Sequence, residues 1–181
     1  MNISWVLADN VMLDPLVNVD QLKSIGSLWG SWQTWRSCQT DNVVCHNTDK
    51  AQQLIGQNFH TLCNFYIPHA LYLTLETPKN IQVYQGKFAH DIEHHDELVA
   101  MHLAATTNDI VLLLGFNWPE ATETLTTQER DYRGLIYYAI KDNPKVQWVM
   151  IDAPNPVRSD LTNLGNFSTD SLSNVIKLMI A

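Results

Sequence analysis

The stretch Ile110-Val111-Leu112-Leu113-Leu114-Gly115-Phe116-Asn117-Trp118-Pro119 decides how the rest of the chain is read. Its first five residues are continuously apolar, the pattern of a strand covered on both faces. The glycine, asparagine and proline that follow punctuate it. Four other short apolar runs share this form: Ile3–Ala8, Val43–His46, Ile81–Tyr84 and Val146–Ile151. Helix-length segments separate them, and strands alternating with helices build βαβ units around a parallel sheet. The expectation is a single α/β domain over residues 1–181, in three layers, with a mainly parallel sheet of about five strands. Such sheets place ligands at the carboxyl ends of their strands.

Composition narrows the classes of partner. With 45% hydrophobic and 17% charged residues in 181, the chain can bury a core without staples. Eleven basic against nineteen acidic residues leave a formal charge of −8, and no basic run offsets it. That field repels phosphate backbones, so nucleic acid is not expected as a partner. No apolar segment approaches the ~20 residues of a membrane span. The first residues carry neither a basic region nor a cleavable apolar stretch, and three cysteines suit free thiols in a reducing compartment. A cytoplasmic protein, with a homo-oligomer left open, is the expectation.

Between the runs, Leu22, Ile25, Trp29, Trp32 and Arg36 recur at helical spacing, which predicts a helix with Gly26 and Gly30 on one bare strip. Two glycines inside a helix cost up to ~1 kcal/mol each. Close backbone packing or a ligand would have to offset that. A helix is expected over 49–59, and 60–75 reads either as a helix broken at Pro68 or as an extended segment. Further helices are expected over 93–106, 128–141 and 169–179, the last with Leu172, Val175, Ile176 and Met179 as its apolar stripe. This order of elements resembles Rossmann-like and flavodoxin-like three-layer domains. The resemblance lies in element order alone and implies a fold class, nothing narrower.

Several motifs are absent. Leu7-Ala8-Asp9-Asn10 stands where a G-x-G-x-x-G turn would follow the first strand, and neither a P-loop nor a G-x-S-x-G elbow occurs. The densest polar cluster is His90-Asp91-Ile92-Glu93-His94-His95-Asp96-Glu97, with His102 beyond it. Imidazole and carboxylate suit a metal, which makes His90, His94 and His95 candidate ligands, although the spacing matches no metal signature. Acidic residues also suit a helix amino terminus. Within this cluster, Glu97 and His102 are the candidate acid and base. Cys38, Cys45, His46, His60 and Cys63 could be assembled into a zinc site, but no C-x-x-C pair anchors one.

Strand-end residues form the second set: Asp9 and Asn10, His46 and Asn47, Asn117 and Trp118, Asp152 and Asn155. In a parallel sheet they converge on one edge, where carboxylates can hold ribose hydroxyls or act as base. Asp and Asn are also common caps of the next helix. A third set is Trp29-Gly30-Ser31-Trp32-Gln33-Thr34-Trp35-Arg36, in which Trp32 could stack on a base or sugar and Arg36 could pair an anion. Together these residues point to a small-molecule site for a nucleotide or sugar-phosphate ligand. Asp9, Glu97 and His102 would be catalytic there, and Asn10, Trp32, Arg36, Asn117, Trp118, Asp152 and Asn155 would bind ligand; no cofactor is specified. The alternatives are an interaction subunit that uses its aromatic surface, and a metal-dependent hydrolase built on His90–His102.

Overall fold

In a computed structural model the five runs all supply strands, and three further strands join them. Residues 1–9, 11, 18–75, 80–85, 95–116, 127–153 and 159–180 are described, with only the backbone of 127–131, 159 and 180. The strands are β1 (Ile3–Leu7), β2 (Ser27–Ser31), β3 (Asn42–Val44), β4 (Asn64–Pro68), β5 (Gln82–Tyr84), β6 (Ile110–Leu114), β7 (Gln147–Ile151) and β8 (Phe167–Asp170). They form one sheet in the order β5-β4-β3-β2-β1-β6-β7-β8, with every neighbouring pair parallel. The chain steps outward from β1 to β5, then returns across the sheet and lays β6 against the other side of β1. The direction of winding thus reverses between β1 and β6, and crevices beside such a switch collect ligands.

Eight strands replace the expected five or so. The correction is largest over 20–36, where one helix was expected. Helix α1 (Val19–Ile25), capped by the Asn18 side chain, stops at Gly26; β2 follows, and then α2 (Trp32–Cys38). The physical reason lies at Gly26, where a Cβ would stand 2.3 Å from the carbonyl oxygen of Ile3. The bare position is a seat for β1, and the chain leaves it extended. Ser31 then starts α2 at once, its hydroxyl accepting from the amides of Gln33 and Thr34.

The ambiguous stretch 60–75 resolves into a short 3-10 turn (Phe59–Thr61), strand β4 and a single helical turn, α4 (His69–Tyr72). Pro68 closes the strand and its fixed φ opens the turn. Strand β8 occupies the start of the expected last helix, and α8 (Leu172–Ile180) begins just after it. At the sheet edge β8 buries Phe167 and leaves Ser168 and Thr169 exposed, so no apolar run marks it.

Helices cover both faces. On one, α5 (Asp96–Thr107) and α6 (Thr127–Lys141) bury Val6, Trp29, Val44, Leu113 and Trp148. The opposite face holds Trp5, Leu7, Leu28 and Leu112 beneath α1 and α8, and Val43, Cys45, Phe65 and Ile67 beneath α3 (Thr48–Gly56). Helix α5 is buried nearly all round because it packs on β1, β2, β3 and β6 as well as α6. A short helix α7 (Ser159–Thr162) completes the set. Among the described residues, no helix is long and apolar enough to cross a membrane.

Replacing Gly26 by alanine forces a Cβ into the β1 backbone, and overpacking of this kind costs ~1–3 kcal/mol. For a chain of this size each kcal/mol lowers Tm by roughly 2–4 °C. Thermal unfolding of Gly26→Ala should show that loss, and an unchanged Tm would contradict the contact.

Candidate active site

The first turn of α5 organises the carboxyl edge of the sheet. Asp96 and Glu97 are consecutive, and each reaches the end of a different strand. The buried Asp96 carboxylate accepts from the backbone N–H of His46 at 2.7 Å and pairs with His46 Nδ1 at 2.8 Å, just beyond β3. Glu97 Oε2 accepts the N–H of Asp9 at 2.7 Å, just beyond β1, and its Oε1 accepts the Tyr132 hydroxyl from α6. Thr34, in the first turn of α2, donates to Asp9 Oδ1 at 3.4 Å. The positive end of α5 favours this concentration of negative charge.

These side chains border a cleft of about 330 Å³. Asp9, Asp96 and Glu97 form one acidic wall; His46, Asn47 and Lys50 line it from the β3 side, Trp32 and Gln33 from α2, and His95 from the α5 start. Lys50 Nζ lies 4.2 Å from the centre of the Trp32 ring, and the Arg36 guanidinium lies 5.6 Å from it. Both are within the range of cation–π attraction. The half-buried Trp32 thus stands next to the carboxylates with both cations over its ring.

Burial and mutual repulsion set the proton affinities. Burial, then the neighbouring Asp9 charge, push Glu97 up to about 7 against the lowering effect of its hydrogen bonds. Burial also raises Asp9, with Ser31 and Thr34 partly offsetting it and the Asp96 charge adding to it. The Asp96 hydrogen bond raises His46 above its ordinary value, against burial. Tyr132 is held firmly as the phenol, first by burial and then by the Glu97 charge. Near neutral pH Glu97 is therefore partly protonated beside the Asp9 carboxyl, the condition for acid–base work.

Of the residues singled out in the sequence, the cleft brings together Asp9, Trp32, His46, Asn47, His95 and Glu97. Arg36 is not among the lining residues and reaches the site only through its contact with the Trp32 ring. His102 does not join them: burial lowers its proton affinity, and the charge it feels is that of Asp142 at the far end of α6. His95 precedes α5 in extended backbone (φ −128°, ψ 101°), and its ring meets Tyr132 edge-on at 5.4 Å. Asp152 does not line the cleft either. It adopts a left-handed φ of 49° and accepts the N–H of Leu172 at 3.2 Å, serving α8. Asn10, Asn117, Trp118, Asn155, His90 and His94 lie outside the described residues.

The cysteines are free thiols. Cys45 and His46 are neighbours on an extended segment and point to opposite faces. Cys45 is buried in the core under α3, its thiol pushed up to about 12, while Cys38 packs in the separate core near α1. Among the described residues, no three His, Cys, Asp or Glu side chains are grouped to hold a metal ion. Tyr132, Lys50 and Asp96 are functional candidates that the sequence did not single out; only Asp96, beside Glu97 at a helix start, carried a signal. No known protein family, curated protein or solved structure matches the chain, so the chemistry of the cleft is the guide to its use.

Folding raises the proton affinity of Glu97, Asp9 and His46, so the native form binds more protons than the unfolded chain where these groups titrate. Stability is then highest at low pH within that window and falls as pH rises, for Glu97 between 4.5 and about 7. Tm should drop between pH 5 and 8, and Glu97→Gln should remove a share on the order of 2 kcal/mol of that dependence. A variant with the same pH slope as the parent would contradict the assignment.

Proposed function

We propose that the cleft binds a nucleoside or nucleotide and that Asp9 and Glu97 catalyse cleavage or transfer at its N-glycosidic bond. The observation that carries this reading is the half-buried Asp9–Glu97 pair, with Glu97 at about 7, in the wall of a cleft that also exposes Trp32. Breaking a glycosidic bond needs a proton for the leaving group and negative charge beside a sugar that becomes oxocarbenium-like. One carboxyl pair sharing a proton supplies both. In the step, the C1′–N bond breaks and its electron pair goes to the base nitrogen, which takes the proton from the pair. The oxygen of water or of an acceptor hydroxyl bonds C1′ and gives up its own proton.

The rest of the cleft suits the same ligand. The Trp32 ring offers a stacking surface for a base. The acidic wall suits neutral ribose hydroxyls and repels a polyanion, and Lys50 and Arg36, both held over the Trp32 ring, are the cations that would meet a single phosphate. The use of the aromatic segments as an interaction surface has less support. Trp29, Phe65, Ile67 and Leu71 are all buried, and of those segments' large apolar side chains Leu73 is strongly exposed.

A panel of purine and pyrimidine nucleosides and their 5′-monophosphates tests the proposal. At 100 times its Kd, a ligand adds ~2.7 kcal/mol to stability, which thermal shift detects. Release of free base, followed by chromatography, is expected from the parent protein. Asp9→Asn and Glu97→Gln should lower kcat by ~10²–10⁴-fold while still binding. Neither stabilisation nor base release with any member of the panel would overturn the proposal.

A further inference from the structure

The pair Asp9–Glu97 accounts for the proton given to the leaving group and leaves open where the proton of the attacking oxygen goes. Across the same cleft stands a second arrangement. The His46 imidazole, about one-third exposed, is tied through Nδ1 to Asp96 Oδ1 at 2.8 Å, and the same oxygen holds the His46 backbone N–H at 2.7 Å. Asp96 is itself buried at the start of α5, so two bonds from one fixed carboxylate set both the backbone and the ring. A neutral imidazole with its proton on Nδ1 carries its lone pair on Nε2. Imidazole oriented by a carboxylate is the recurrent design of a general base.

We infer that His46 is the general base that takes the proton of the attacking water or acceptor hydroxyl, with Asp96 as its positioning residue. The inference rests on the glycosidic reading above. As the oxygen forms its bond to C1′, its proton passes to His46 Nε2; the C1′–N electron pair leaves with the base, which takes the proton of the Asp9–Glu97 pair. His46 ends with one proton more and the carboxyl pair with one fewer, and exchange with solvent resets both. Among the described residues, the charged and titratable groups that line the cleft with His46 are Asp96, Glu97 and His95 from the α5 start, Asp9 beyond β1 and Lys50 from α3. The Asp96 hydrogen bond, with the Asp96 and Asp9 charges, holds its proton affinity up against burial, which strengthens the imidazole as a base.

The test uses the full chain and 4-nitrophenyl β-D-ribofuranoside, alongside the nucleoside panel. His46→Ala should lose ~10²-fold in hydrolysis. Azide, a nucleophile with no proton to surrender, should restore turnover of the variant and yield the ribosyl azide, which a damaged fold would not do. Asp96→Asn should move the acidic limb of the pH–rate profile to lower pH, because His46 loses the partner that raises it. If His46→Ala fails to fold, His46→Gln takes its place in the azide measurement. Full activity in the His46 variant, or a loss that azide does not repair, would overturn the inference and leave the glycosidic reading standing. A parent protein that cleaves neither probe would overturn that reading and the inference with it.

Discussion

The first turn of α5 is tied to the ends of two strands, and the candidate site exists because of those ties. Asp96 and Glu97 follow one another, and consecutive residues on a helix point about 100° apart. One carboxylate therefore reaches His46 beyond β3 and the other reaches Asp9 beyond β1. In the sheet β2 lies between those strands, so the two ends stand about 10 Å apart, and the helix start straddles the gap. Trp29 of β2 is buried beneath α5. The cleft is the space left between that helix start and the strand ends.

The same geometry explains the proton affinities. Three carboxylates gathered at one helix terminus gain from the dipole and lose through burial and mutual repulsion. Asp96 is compensated by two donors from His46. Glu97 is compensated by the Asp9 amide and the Tyr132 hydroxyl, but the Asp9 charge beside it works the other way. Two kinds of titrating group result: a carboxyl pair of raised proton affinity and an imidazole aligned by a carboxylate. Separated roles for acid and base follow from environments that differ in this way.

Much of the fold was legible because a parallel sheet buried on both faces leaves continuous apolar runs, as at Ile110–Leu114 and Ile3–Leu7. Strand β2 was not legible: three of the five residues in Ser27-Leu28-Trp29-Gly30-Ser31 are small, and Trp29 and Trp32 imitate a helical repeat although one sits on a strand and the other on a helix. Strand β8 lies at an edge and needs only Phe167 to anchor it. Asp9, Trp32 and Glu97 could be picked out as a strand end, an aromatic surface and a helix start. Tyr132 and Lys50 could not, since their relation to the cleft depends on elements far apart in sequence. His102 and Asp152 show the reverse error. Asp152 does stand at the carboxyl edge, just beyond β7, but it serves the next helix, and His102 feels the charge of Asp142 and does not line the cleft.

Carboxyl-carbon NMR of the 13C-labelled protein, titrated across the acid-to-neutral range with Glu97→Gln to assign the Glu97 signal, measures the central feature directly. Glu97 is expected to titrate at about 7 and Asp9 above the ordinary aspartate range, each responding to the other. Both groups titrating independently, in the range of exposed carboxylates, would contradict the account.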